Sequence, residues 1–228
     1  EAMGLLPDGA SVPVADDIAK PKKTAVEVAK ARAQDATWTR GEAVRTTAFW
    51  LLVITFGISS IGVTGLNLHV YSYVTDLGYS AVIAATVMSI IASMQLASPL
   101  GWGLLAEKIG ARYAATLRFV IQGIGLAVAV LNGNLVGLYC GFFLYGIGLG
   151  GNMVLPDILW ADYFGRRSLG RIRGMGLLIS QFLAAIGPPF FGFLFDLTGS
   201  YNVSFAIFGA VLVTSAMLSL MLKPPRRH

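Results

Sequence analysis

Six long apolar stretches dominate the chain from residue 47 onward: residues 47–75, 80–106, 111–131, 135–164, 170–197 and 202–222. Each reaches the roughly 20 residues needed to cross a hydrocarbon core about 30 Å thick. Alternation of period two, the mark of a membrane barrel strand, is absent, so the stretches read as helices. With 55% hydrophobic and 13% charged residues and a mean hydropathy of +0.69, the chain has too little polar surface to clothe a water-soluble domain of its length. The expected fold is all-α: a polytopic membrane protein whose residues 46–222 form a six-transmembrane-helix bundle. Several stretches exceed the minimum, which implies tilt or ends that project into water.

The connectors sort by charge. Residues 75–79, 132–134 and 197–201 contain no Lys or Arg. The alternate connectors hold Lys108 and Arg112, then Arg166, Arg167, Arg171 and Arg173, while the tail at 223–228 holds Lys223, Arg226 and Arg227. With Arg118 and the basic run of the first 45 residues, all 17 Lys and Arg fall on one side. By the positive-inside rule that side is cytoplasmic and both termini face it, most simply at a plasma (inner) membrane. The net charge of +5 therefore reports topology and implies no nucleic-acid partner. Residues 1–45 are polar, with Pro7, Pro13 and Pro21. They read as a water-exposed segment, either a solvated loop or, over 23–34, an amphipathic helix lying on anionic headgroups.

Enzyme chemistry finds no foothold. There is no phosphate-cradling Gly-rich motif, no HExxH and no Cys/His cluster, and two histidines with one cysteine, Cys140, make neither a metal centre nor a disulfide. No cofactor is expected.

Polar groups and helix breakers inside the spans mark where function can sit. Span four carries Gly146, Gly148, Gly150, Gly151 and Asn152, then Pro156 and Asp157. This is either close packing through small residues or a weakened helix that turns Asn152 towards a substrate cavity. Gly187, Pro188 and Pro189 set a second break in span five, where a kink is expected. Arg118 and Asp157 each lie about two turns inside the basic side, a spacing that allows them to neutralise one another; the alternative for Arg118 is snorkelling to the headgroups. His69, flanked by Asn67 and Tyr71, is either a proton-handling group or a neutral histidine bonded to a neighbouring helix. Gln95, Gln122 and Gln181 are mid-span amides, suited to binding or to interhelical hydrogen bonds.

The connector after span two, from Gly103 through Leu105, Glu107, Lys108 and Gly110 to Arg112, resembles the G-x-L-a-D-r-x-G-r-r signature of the major facilitator superfamily, with Glu107 in place of the usual Asp. The run Ala161-Asp162-Tyr163-Phe164-Gly165-Arg166-Arg167, then Gly170-Arg171-Ile172-Arg173-Gly174, Gly187-Pro188 and Asp196-Leu197-Thr198-Gly199, resembles helices seven to twelve of that family. Within it, the branch of monocarboxylate carriers and oxalate/formate exchangers is the most similar. Gly4-Leu5-Leu6-Pro7-Asp8-Gly9 resembles the start of that branch's central loop, so the chain reads as the C-terminal half of a major facilitator fold.

The resemblance implies secondary transport of a small solute, small organic anions being the branch's cargo, by alternating access against a missing N-terminal six-helix bundle, with a proton as coupling partner. It places spans one, two, four and five around the substrate pathway, with His69, Asn67, Tyr71, Gln95, Asn152 and Gln181 along it, and spans three and six outside. It implies a gating charge cluster of Glu107, Arg112, Asp162 and Arg166. Carboxylate carriers of the branch place an arginine four residues before the signature's first glycine; this chain has Pro99 there. A non-transporting six-span scaffold is the alternative, with Gly146/Gly150 and Gly170/Gly174 as association motifs.

Overall fold

A computed structural model describes residues 38–225. The expected amphipathic helix and the central-loop-like segment up to residue 37 therefore lie outside the described residues, and only residues 38–45 of that segment are seen. A short helix, α1 (Arg40–Val44), opens the described chain, closed by a reciprocal capping box between Thr39 and Glu42. Six long helices follow: α2 (Thr47–Asp76), α3 (Ala81–Ile109), α4 (Ala111–Leu131), α5 (Leu135–Phe164), α6 (Leu169–Thr198) and α7 (Asn202–Met221). All six are long and apolar enough to cross a membrane, and no strand occurs among the described residues.

The helix ends follow from local chemistry. Thr46, Ser80 and Asn134 cap α2, α3 and α5 by accepting from the backbone N–H groups of Phe49, Ile83 and Gly137. At the arginine-rich end, α3 stops at Gly110 and α5 at Gly165, with φ of 90° and 77°. Glycine alone enters this region without strain, which lets the chain reverse within one or a few residues.

The helices form an arc, each packed on the next, in the order α3, α5, α4, α7, α2, α6. Small residues set the closest approaches. A Cβ on Gly125 would lie 2.4 Å from the Tyr145 nitrogen, and one on Gly141 would lie 2.3 Å from that of Ala129, so α4 and α5 meet backbone to backbone. Gly146 and Gly150 do the same for α5 against α3, where Cβ atoms would meet Ile91 and Gln95 carbonyl oxygens at 3.0 and 2.9 Å. Their GxxxG pair is thus spent inside the bundle, whereas a Cβ on Gly170 or Gly174 would meet no other part of the protein within 4 Å.

Both expected breaks fall within continuous helices. α5 runs unbroken through Gly150, Gly151 and Pro156, and α6 through Gly187, Pro188 and Pro189. At Pro188 the reason is visible. Proline supplies no N–H to the carbonyl of Ala184, and the Thr64 hydroxyl of α2 donates to it instead at 2.6 Å.

Candidate functional site

A cavity of about 600 Å³ lies between α2, α5 and α6. Phe56 and Ser60 reach it from α2, Asn152 and Asp157 from α5, and Arg173 and Gln181 from α6. Arg173 Nη2 donates to Asp157 Oδ1 at 2.6 Å, with the two side chains 39% and 40% exposed. The pair faces a cavity rather than a packed core, so both partners are open to solvent. Two amides and the Ser60 hydroxyl supply neutral donors and acceptors further along the wall. An apolar wall with a few convergent polar groups is the usual form of a small-molecule site.

Three expected residues thus come together here: Asn152, Gln181 and Asp157. Four do not line this cavity. His69, near the opposite end of α2, uses both ring nitrogens: Nε2–H donates to the Pro188 carbonyl at 3.2 Å, which leaves Nδ1 to accept from the Tyr201 hydroxyl at 3.3 Å. Burial, with Asp76 and Asp196 nearby, pushes the Tyr201 phenol above its ordinary value despite a Ser72 contact, so it stays protonated and donates. Asn67 accepts from the Tyr145 hydroxyl at 3.5 Å, Tyr71 is exposed, and Gln95 is half-buried on α3. That helix, expected to face the substrate pathway, does not border this cavity.

The Arg118–Asp157 pairing is corrected: the partner of Asp157 is Arg173. Arg118 meets α5 at Gly151, where a Cβ would lie 2.9 Å from its Cδ. Asp157 stands six positions further on, about a third of a turn round the helix, and looks into the cavity instead. Snorkelling is corrected too, because Arg118 is 0% exposed. Its Nη1 donates to Gln122 Oε1 at 3.3 Å, and its Cζ lies 3.8 Å from the Phe119 ring centroid and 5.5 Å from that of Phe56. Nε and Nη2 have no hydrogen-bond partner among the described residues.

Of the expected gating cluster, Arg112 donates to the Leu222 carbonyl at 3.1 Å and to the Tyr113 hydroxyl at 2.5 Å, tying the ends of α4 and α7. Tyr163 feels the charge of Arg112 and of Asp162, its neighbour in the chain. Glu107 and Arg166 are exposed at the same end.

Arg173 escaped the sequence reading, where it counted only as a connector charge. The signal was present: Asp157 and Arg173 stand eight residues before and eight after the turn glycine Gly165, so an antiparallel hairpin sets them at one level.

Residues 93–228 match the model of the Major Facilitator Superfamily. Monocarboxylate transporter 12-B of Danio rerio is 24% identical over 75% of this chain, Sialic acid transporter NanX of Escherichia coli (strain K12) 28% over 66%, and Monocarboxylate transporter 4 of Gallus gallus 29% over 70%. The matched stretches are 36%, 37% and 35% of those proteins, so the chain spans about a third of the length of the relatives it matches. All three relatives are named as transporters. The chain belongs to the Major Facilitator Superfamily of membrane transporters.

Proposed function

We propose that this chain is the C-terminal bundle of a twelve-helix secondary carrier that moves a small organic acid by alternating access. The observation that carries this reading is the half-exposed Asp157–Arg173 pair in the α2/α5/α6 cavity. An ion pair that faces a cavity can be exchanged for one between Arg173 and a substrate carboxylate, and such an exchange couples occupancy to helix position. Two further facts support it. The relatives are named for a monocarboxylate and for sialic acid, both carboxylic acids, and the chain spans only about a third of their length.

In this reading the second wall of the substrate site comes from an N-terminal six-helix bundle. The arginine-rich end faces the cytoplasm of a plasma (inner) membrane, with both termini on that side. A proton that moves with the acid would neutralise its charge during transfer. The test is uptake of radiolabelled pyruvate and of sialic acid into proteoliposomes holding the full-length carrier, with and without an inward proton gradient. Saturable uptake of either acid is expected. A folded, reconstituted protein that moves neither would overturn the reading, as would a gene that encodes only these six spans.

A further inference from the structure

Among the described residues, Arg118 is the one charged side chain that is fully buried. A guanidinium is among the costliest groups to enclose in a membrane protein, and it is normally placed where an anion or a cluster of acceptors meets it. Here it is 0% exposed, one donor goes to Gln122, and no carboxylate among the described residues pairs with it, Asp157 being held by Arg173. The bundle is nonetheless shaped to keep it. Gly151 leaves room for its stem and Gly148 for its backbone and that of Gln122, as Cβ atoms there would lie 2.9 Å from Arg118 Cδ and 2.9 Å from its carbonyl oxygen. Phe119 offers its ring face at 3.8 Å.

The nitrogens left over are informative. Nε and Nη2 are the unpaired donors, and their N–H bonds share one edge of the guanidinium and run parallel. That edge matches the two oxygens of a carboxylate. Phe56 connects this buried fork with the cavity, because its ring lines the cavity and also lies 5.5 Å from Arg118 Cζ. The ring of Phe56 thus touches both.

We propose that Arg118 is an anion-recognition subsite of the cavity, taking the carboxylate of the cargo on its Nε/Nη2 edge when the Phe56 side chain rotates aside. This rests on the reading of the α2/α5/α6 cavity as the transport cavity. Until an acid arrives, Arg173 is occupied by Asp157 and Arg118 waits unpaired behind the ring, so the second arginine is the one whose bonds are gained, not exchanged.

The experiment uses the full-length carrier in proteoliposomes, with radiolabelled pyruvate and sialic acid as probes. Arg118→Met keeps the length of the side chain and removes its charge. It is expected to raise KM at least about tenfold for the transported acid, as loss of a charged double hydrogen bond should. Its melting temperature should not fall, since an unpaired buried charge is being removed. Arg118→Lys should restore part of the affinity, and Phe56→Ala should lower KM by removing that ring. A KM for Arg118→Met within about twofold of wild type would overturn the proposal and leave a structural arginine. If Arg118→Met does not fold, an unchanged KM in Phe56→Ala overturns it instead. A wild-type carrier that moves neither acid would overturn the organic-acid reading first and this subsite with it, whereas acid uptake insensitive to Arg118 would refute the subsite alone.

Discussion

The Thr64 hydroxyl of α2 donates at 2.6 Å to the Ala184 carbonyl of α6, the one that Pro188 leaves without its helical donor. Ser60 makes a similar bond one turn away, to the Ser180 carbonyl at 3.1 Å. The Thr64 hydroxyl replaces in trans what Pro188 removes in cis, while the Ser60 bond adds to a Ser180 carbonyl whose helical donor, Ala184, is intact. Thr64→Val keeps the shape and deletes the donor. It should lower the stability of the purified protein by about 1 kcal/mol, the usual worth of an interhelical hydrogen bond in a membrane. Thermal unfolding in detergent reads this, and an unchanged midpoint would contradict it.

Close approach of the same two helices sets a second expectation. A Cβ on Gly187 would lie 2.1 Å from the Ile61 carbonyl oxygen, and backbone cannot yield as a flexible side chain can. Gly187→Ala should therefore cost about 1–3 kcal/mol or prevent assembly. Gly174→Ala, whose added Cβ would meet no other part of the protein within 4 Å, should be within about 0.5 kcal/mol of wild type. Equal midpoints for the two variants would contradict the packing described.

For the cavity ion pair, a double-mutant cycle with Asp157→Asn and Arg173→Gln should give a coupling of about 0.5–1 kcal/mol in unfolding, modest because both side chains are partly exposed. In uptake the single variants should diverge. Asp157→Asn frees Arg173 and lowers KM for the acid, while Arg173→Gln raises it. Parallel changes in the two would argue that the pair is structural only.

The six spans were legible because hydrocarbon crossing demands long apolar runs, and the expected limits differ from the helices by no more than a few residues. Which face of each helix points where was not. In a membrane both the lipid and the bundle interior accept apolar side chains, so hydrophobic periodicity carries little information about direction. Asn152 and Gln181 could be placed by resemblance, but the partner of Asp157 depends on its angular position on α5. Arg118, expected either to pair with Asp157 or to reach the headgroups, is instead enclosed by Phe119, Phe56 and two glycines that only packing reveals.

His69 illustrates how geometry redirects an expectation. Both nitrogens are engaged, one by the Pro188 carbonyl and one by Tyr201, which ties α2 to α6 and to the connector before α7. We expect His69→Gln to lower thermal stability while the pH profile of uptake keeps its wild-type shape. Loss of pH dependence with stability retained would return His69 to proton handling.

Alternating access requires the α2/α5/α6 cavity to open to each side of the membrane in turn. A cysteine at Gln181, in a carrier whose Cys140 and other reactive thiols are replaced, can be labelled with a membrane-impermeant thiol reagent in right-side-out and in everted vesicles. Gln181 lines the cavity and is exposed. The account predicts labelling from both sides, slowed by the transported acid. Labelling from one side alone, unaltered by any acid that the carrier transports, would contradict it.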